Sequence, residues 1–162
     1  GGLLIAKFGL GKNPIRTVLF LVGVMGALGA LFTIREWWWL YVVGIWLYMV
    51  MIPAIEAAEQ TVIQKVVPYK RQGRVFGFAQ ALESAAAPIA AFIIGPIAEF
   101  AVIPYMETAD GAAQFGWLVG DGQARGIALL FFVSGLIMVV AAILAFRSKS
   151  YARLSAYYQT AK

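Results

Sequence analysis

The chain reads as an all-α, multi-pass membrane protein, and three observations predict it. Of its 162 residues 62% are hydrophobic, with a mean hydropathy of +0.80, where a soluble domain has about 45–50% apolar residues. The apolar residues are gathered in long runs, each long enough to cross a hydrocarbon core of about 30 Å. Most of the Lys and Arg residues sit at the ends of those runs on alternate turns, and only Arg35 and Arg125 fall on the others. The net charge of +5 therefore does not mark a nucleic-acid-binding face, which would gather its bases on one polar surface.

Residues 1–8 form an apolar stub followed by Gly9, Gly11, Asn13 and Pro14, a turn composition, with Lys7, Lys12 and Arg16 around it. The start at Gly1 shows no initiator Met, basic leader or cleavage site, and reads as the middle of a longer membrane protein. The first full span is expected over 17–34. It is uncharged, and Gly23, Gly26, Gly29 and Ala30 give it a small-residue face for close helix contact. Arg35, Glu36 and three consecutive Trp, 37–39, read as a short turn with an interfacial aromatic belt.

The second span is expected over 38–66, with Pro53 bending it or opening its hydrogen-bond ladder. Beyond Pro53 come Glu56, Glu59, Gln60 and Gln64. At 100° per residue they share one face, which must look at other helices or at a wet cavity. A basic turn follows over 68–74, crowded by Lys65, Lys70, Arg71 and Arg74. The third span is expected over 75–103, with Gln80, Glu83, Ser84, Ala87, Ala91, Gly95 and Ala98 along one stripe and with Pro88 and Pro96 bending or interrupting it. Residues 104–125 read as an exposed, acidic loop that folds back on the membrane through Phe115 and Trp117. The fourth span is expected over 126–146, and the polar-aromatic tail over 147–162. All three basic clusters fall on one side of this four-span arrangement, which the positive-inside rule places in the cytoplasm.

The chain has no Cys and no His, which excludes disulfides, thiol and imidazole catalysis and zinc fingers. Phosphate-loop and dinucleotide fingerprints are missing, and the acids of 104–125 lack a calcium-loop pattern. No enzyme, metal or cofactor is expected. The candidates that remain are intramembrane polar residues: Glu56, Glu59, Gln60, Gln80 and Glu83. Such acids are costly in a bilayer and normally have a partner or a task. Here they would carry a proton or attract a cationic substrate, or else pair with Lys65 or Arg74 to lock helices. Glu99 reads as interfacial. Ala91, Gly95 and Pro96 form a small-residue contact ending in a helix breaker, so Pro53, Gly95 and Pro96 are the expected pivots.

Three stretches resemble the carboxyl-terminal half of a major facilitator superfamily transporter of the bacterial macrolide-efflux and enterobactin-exporter type. Gly2, Lys7, Gly9, Gly11 and Lys12 resemble the cytoplasmic loop motif after the second or eighth helix, with Ala6 where the stronger copy has Asp. Thr61 to Pro68 followed by Gly73, Arg74, Val75, Phe76 and Gly77 resembles the junction of helices ten and eleven, and the stretch from Arg125 to Phe131 resembles the start of helix twelve. Ala91, Gly95 and Pro96 also resemble the antiporter motif of the fifth helix, carried by its symmetry mate. The resemblance implies the end of helix eight and helices nine to twelve, in the inner membrane, partnered by lipid and by a missing amino-terminal half. It implies proton-coupled efflux of a small amphipathic molecule (drug, siderophore or metabolite) by the full-length parent. The alternatives are a small four-span protein that works as a homo-oligomer, and a non-transporting membrane scaffold.

Overall fold

In the computed structural model the described residues are 11, 13–34, 37–120 and 125–160. They are all-helical, and four stretches are long and apolar enough to cross a membrane: Pro14–Leu31, Trp38–Val66, Tyr69–Glu107 and Arg125–Arg147. We number the helices α1 (Pro14–Leu31), α2 (Trp38–Val66), α3 (Tyr69–Ile97), α4 (Ile103–Glu107), α5 (Ala109–Val119), α6 (Arg125–Arg147) and α7 (Lys149–Thr160). A π-helical turn, Ala98–Val102, joins α3 to α4 without a break. The residues of the stub motif, Gly2, Lys7, Gly9 and Lys12, lie outside the described residues, as do Arg35, Glu36 and Asp121.

The first span starts earlier than expected because Asn13 caps it. The Asn13 side chain accepts from the Arg16 backbone N–H at 3.3 Å, and Pro14 stands at the first helical position, where its missing N–H costs nothing. Helix α1 runs antiparallel to α6. The register is set by Gly23 facing Ala142, by Gly26 and Ala30 facing Gly135, and by the Phe32 and Phe131 rings at 6.2 Å. A β-carbon built on Gly135 would lie 2.5 Å from the Gly26 carbonyl oxygen and the Ala30 nitrogen, so the two backbones meet directly. This is the close contact that the small-residue face of α1 predicts. Helix α2 packs on α1 through Phe32, which fills the space above Gly44 and meets the Tyr41 ring edge-on at 5.6 Å.

The expected basic turn over 68–74 is shorter than that. Only Val67 and Pro68 leave the helical conformation, and Tyr69 already begins α3. Gln72 makes this possible, because its side-chain amide donates to the carbonyls of Gln64 (2.9 Å) and Val67 (3.0 Å). These are carbonyls that the end of α2 leaves without intrahelical partners. Pro53 and Pro88 do not interrupt their helices. Pro96 is followed two residues later by the π-helical turn, where the Ala98 N–H is shared by the carbonyls of Ile94 and Gly95. A residue without an N–H unsettles the ladder there, and a π turn absorbs the mismatch.

The expected exposed loop is largely helical. Helix α5 begins where the Thr108 hydroxyl accepts from the Gly111 N–H at 3.2 Å, and it ends at Gly120, whose φ of +81° suits glycine. Phe115 and Trp117 belong to this helix, with Trp117 exposed. The tail is a helix as well. Helix α7 is tied to α1 by a hydrogen bond from the Asn13 amide to the Ser155 hydroxyl, and to α2 by Lys65, whose ammonium lies over the Tyr158 ring at 4.3 Å.

The result is a three-helix block, α1, α2 and α6, with α7 across one end. Helix α3 stands apart. Among the described residues it touches α2 and its own continuation, and none of its residues is buried. Arg16, Lys65, Lys70, Arg71, Arg74, Arg147, Lys149 and Arg153 fall at the end of the molecule that carries α7. The indoles of residues 37–39 and the acids Glu107 and Asp110 fall at the other.

Candidate functional site

Helices α2 and α3 leave the Val67–Pro68 turn antiparallel, and two turns in from it their polar faces meet. A cleft of about 230 Å³ lies between them, lined by Glu56, Glu59, Gln60, Phe76, Ala79, Gln80 and Glu83. All five intramembrane candidates therefore converge on one space. The carboxyl-bearing residues Glu56, Glu59 and Glu83 thus share the walls of one cleft. Glu59 also lines a second, apolar cavity of about 390 Å³ on the far side of α2, under α7.

The expected locking of these acids by bases is not what the structure contains. Among the described residues neither Glu59 nor Glu83 has a Lys or Arg nitrogen within 4.0 Å. Lys65 is turned toward Tyr158 instead. Gln64, expected on the same face, is not part of the cleft lining, and its carbonyl serves the Gln72 staple. Ser84 likewise does not line it. Phe76 and Ala79 do, unanticipated, although 76, 79, 80 and 83 repeat at helical spacing and place them on the face of Gln80 and Glu83.

Among the described residues the helix contact expected at Gly95 is not made, since a β-carbon there would meet nothing within 4 Å. The same is true of Gly73, which lies in the first turns of α3 with Arg74. Among the described residues no group of three or more His, Cys, Asp or Glu side chains is arranged to hold a metal ion. The chemistry open to the cleft is that of carboxyls and amides: accepting and releasing protons, and hydrogen-bonding or attracting a cationic group.

Set against protein-family models, curated proteins and solved structures, the chain matches none.

Proposed function

We propose that the chain is the carboxyl-terminal transmembrane part of a proton-coupled transporter that exports a small amphipathic molecule. The observation that carries this reading is the convergence of three carboxyls and two amides in one cleft between two long apolar helices. Like charges held this close in a bilayer repel unless a proton or a cation sits among them. A site that changes its proton content as it opens to one side and then the other is the working part of a transporter. Such proteins carry their sites near the midplane, between helices that rock against a second bundle. The order of the three motif stretches supports the major facilitator family, with α1, α2, α3 and α6 as helices nine to twelve. The basic end of the molecule then faces the cytoplasm from the inner membrane.

The test uses the full-length parent in inverted vesicles energised by a proton gradient, with a fluorescent amphipathic cation as the probe. Glu56→Gln is expected to slow probe transport at normal membrane abundance. Unchanged transport at normal abundance removes Glu56 from the mechanism. A second reading is favoured by α3, none of whose residues is buried. A second copy of this chain would cover it in a four-span homo-oligomer. The coding sequence upstream of Gly1 separates the two, because further apolar spans there support the larger transporter. Particle size in detergent then measures any assembly of copies.

A further inference from the structure

We propose that the basic end of the molecule holds one anionic phospholipid, headgroup and acyl chain together, beneath α7. Two cavities there share Tyr151 as a wall. Among the described residues, one, about 440 Å³, is lined by Arg16 and by the uncharged polar side chains of Asn13, Thr17, Tyr151, Ser155 and Gln159, with no acid among them. One cation among the described residues stands in a ring of hydroxyls and amides, which suits a phosphodiester, since the guanidinium forks onto two oxygens and hydroxyl and amide groups can donate to the rest. The other cavity, about 390 Å³, is apolar along Ile15, Val18, Leu19, Ile63 and Leu154, with Glu59 on its α2 wall, and lies within the size range of ligand pockets.

Their placement sets the class of ligand. Asn13 caps α1 and Arg147 ends α6, so the polar cavity lies at the level where a spanning helix meets the headgroups. The apolar cavity runs in among the ends of α1, α2 and α6. A free phosphate has no use for it, whereas a lipid has an acyl chain to place there. Basic pockets between spanning helices at a membrane surface are a recurrent form of lipid recognition. Helix α7 completes the site because the Asn13–Ser155 hydrogen bond and the Lys65–Tyr158 contact hold it in place. The proposal depends on the membrane reading of the fold and not on transport.

The experiment places the full chain in nanodiscs of phosphatidylcholine with a minority of phosphatidylglycerol. After extraction, the ratio of the two lipids that stay with the protein is measured by mass spectrometry against the ratio in the disc. The native chain is expected to retain phosphatidylglycerol preferentially. Arg16→Gln is expected to lower that enrichment about tenfold, the weight of one charge-assisted hydrogen bond to the phosphate, with Arg16→Lys recovering part of it. Arg153→Gln, an exposed base lining neither cavity, is expected to leave enrichment within about twofold. Equal losses in Arg16→Gln and Arg153→Gln overturn the site in favour of diffuse attraction. Absence of enrichment in the native chain overturns it outright. Displacement of the bound lipid by soluble glycerol phosphate at matched concentration assigns the cavity to a free phosphate and overturns the lipid. Both substituted Arg residues are exposed, and helicity and monodispersity measured on each variant separate loss of lipid from loss of fold.

Discussion

The contact between α1 and α6 sets a steric limit that can be measured. A β-carbon on Gly135 would lie 2.5 Å from the Gly26 oxygen and the Ala30 nitrogen, where ordinary contact begins near 3.4 Å. Gly135→Ala must therefore push two backbones apart by close to 1 Å. That gap forfeits a quarter to a half of the dispersion energy of the atoms around it, and overpacking of this kind costs about 1–3 kcal/mol. The substitution also gains up to about 1 kcal/mol of helix propensity, so the net loss is about 0–2 kcal/mol. Gly77→Ala in α3 isolates the propensity part, because its β-carbon would meet nothing within 4 Å. Gly23→Ala is an intermediate case, in ordinary contact with Ala142 at 3.6 Å. The assay is reversible unfolding of the chain in mixed micelles, followed by far-UV circular dichroism. Gly135→Ala is expected to unfold first and Gly77→Ala last, with Gly23→Ala between them. Equal midpoints for Gly135→Ala and Gly77→Ala would refute the direct backbone contact.

Gln72→Ala removes the two hydrogen bonds that close the α2–α3 turn and is expected to cost about 1 kcal/mol. Faster amide exchange at Val67 and Arg71, with exchange in α6 unchanged, is the readout. The Lys65–Tyr158 contact is expected to show a coupling of about 0.5–1 kcal/mol in a double-mutant cycle of Lys65→Met and Tyr158→Leu; zero coupling would dissolve that tie between α7 and α2. Thr108→Ala loses the cap of α5, a change worth about 1 kcal/mol. Quicker exchange at the Gly111 and Ala112 amides is expected, and unaltered exchange would mean that tertiary packing alone holds the helix.

The spans were legible in the sequence because a bilayer demands long uncharged runs, and the second came out at the same bounds, Trp38–Val66. The basic connection at 68–74 misled because Pro68 and Gly73 carry the marks of a turn. The backbone needed only Val67 and Pro68, since Gln72 supplies the missing partners from inside the next helix. The stretch 104–125 misled for a related reason. Gly111 weakens a helix on propensity alone, but a β-carbon there would collide with the Tyr105 carbonyl, so the glycine is what lets α5 fold back on α4. The shared face of Glu56, Glu59 and Gln60 followed from the 100° period. That it meets Gln80 and Glu83 is seen only in the structure, where a two-residue turn brings the helices together. Which spans pair closely did not follow. Small residues stripe both α1 and α3, and only the three-dimensional arrangement shows that Gly26 has Gly135 opposite it while Gly95 has nothing near it among the described residues.

Helix α3 and its continuation form a strut pinned at two points. One pin is the Val67–Pro68 turn. The other is Ile103, so close to Gly126 that a β-carbon there would come within 2.7 Å of it. Between the pins, among the described residues, α3 itself touches only α2, and only lightly, while the π-helical turn next to Ile103 rests on α6. Glu83 sits about 30 Å along the helix from the Ile103 pin, at 1.5 Å per residue. The spacing of Glu83 and Gln80 from Glu56 and Glu59 is therefore governed by leverage as much as by local packing. A side chain added at Gly126, at the opposite end of the molecule, is expected to shift the Ile103 pin and with it the width of a cleft that it never touches.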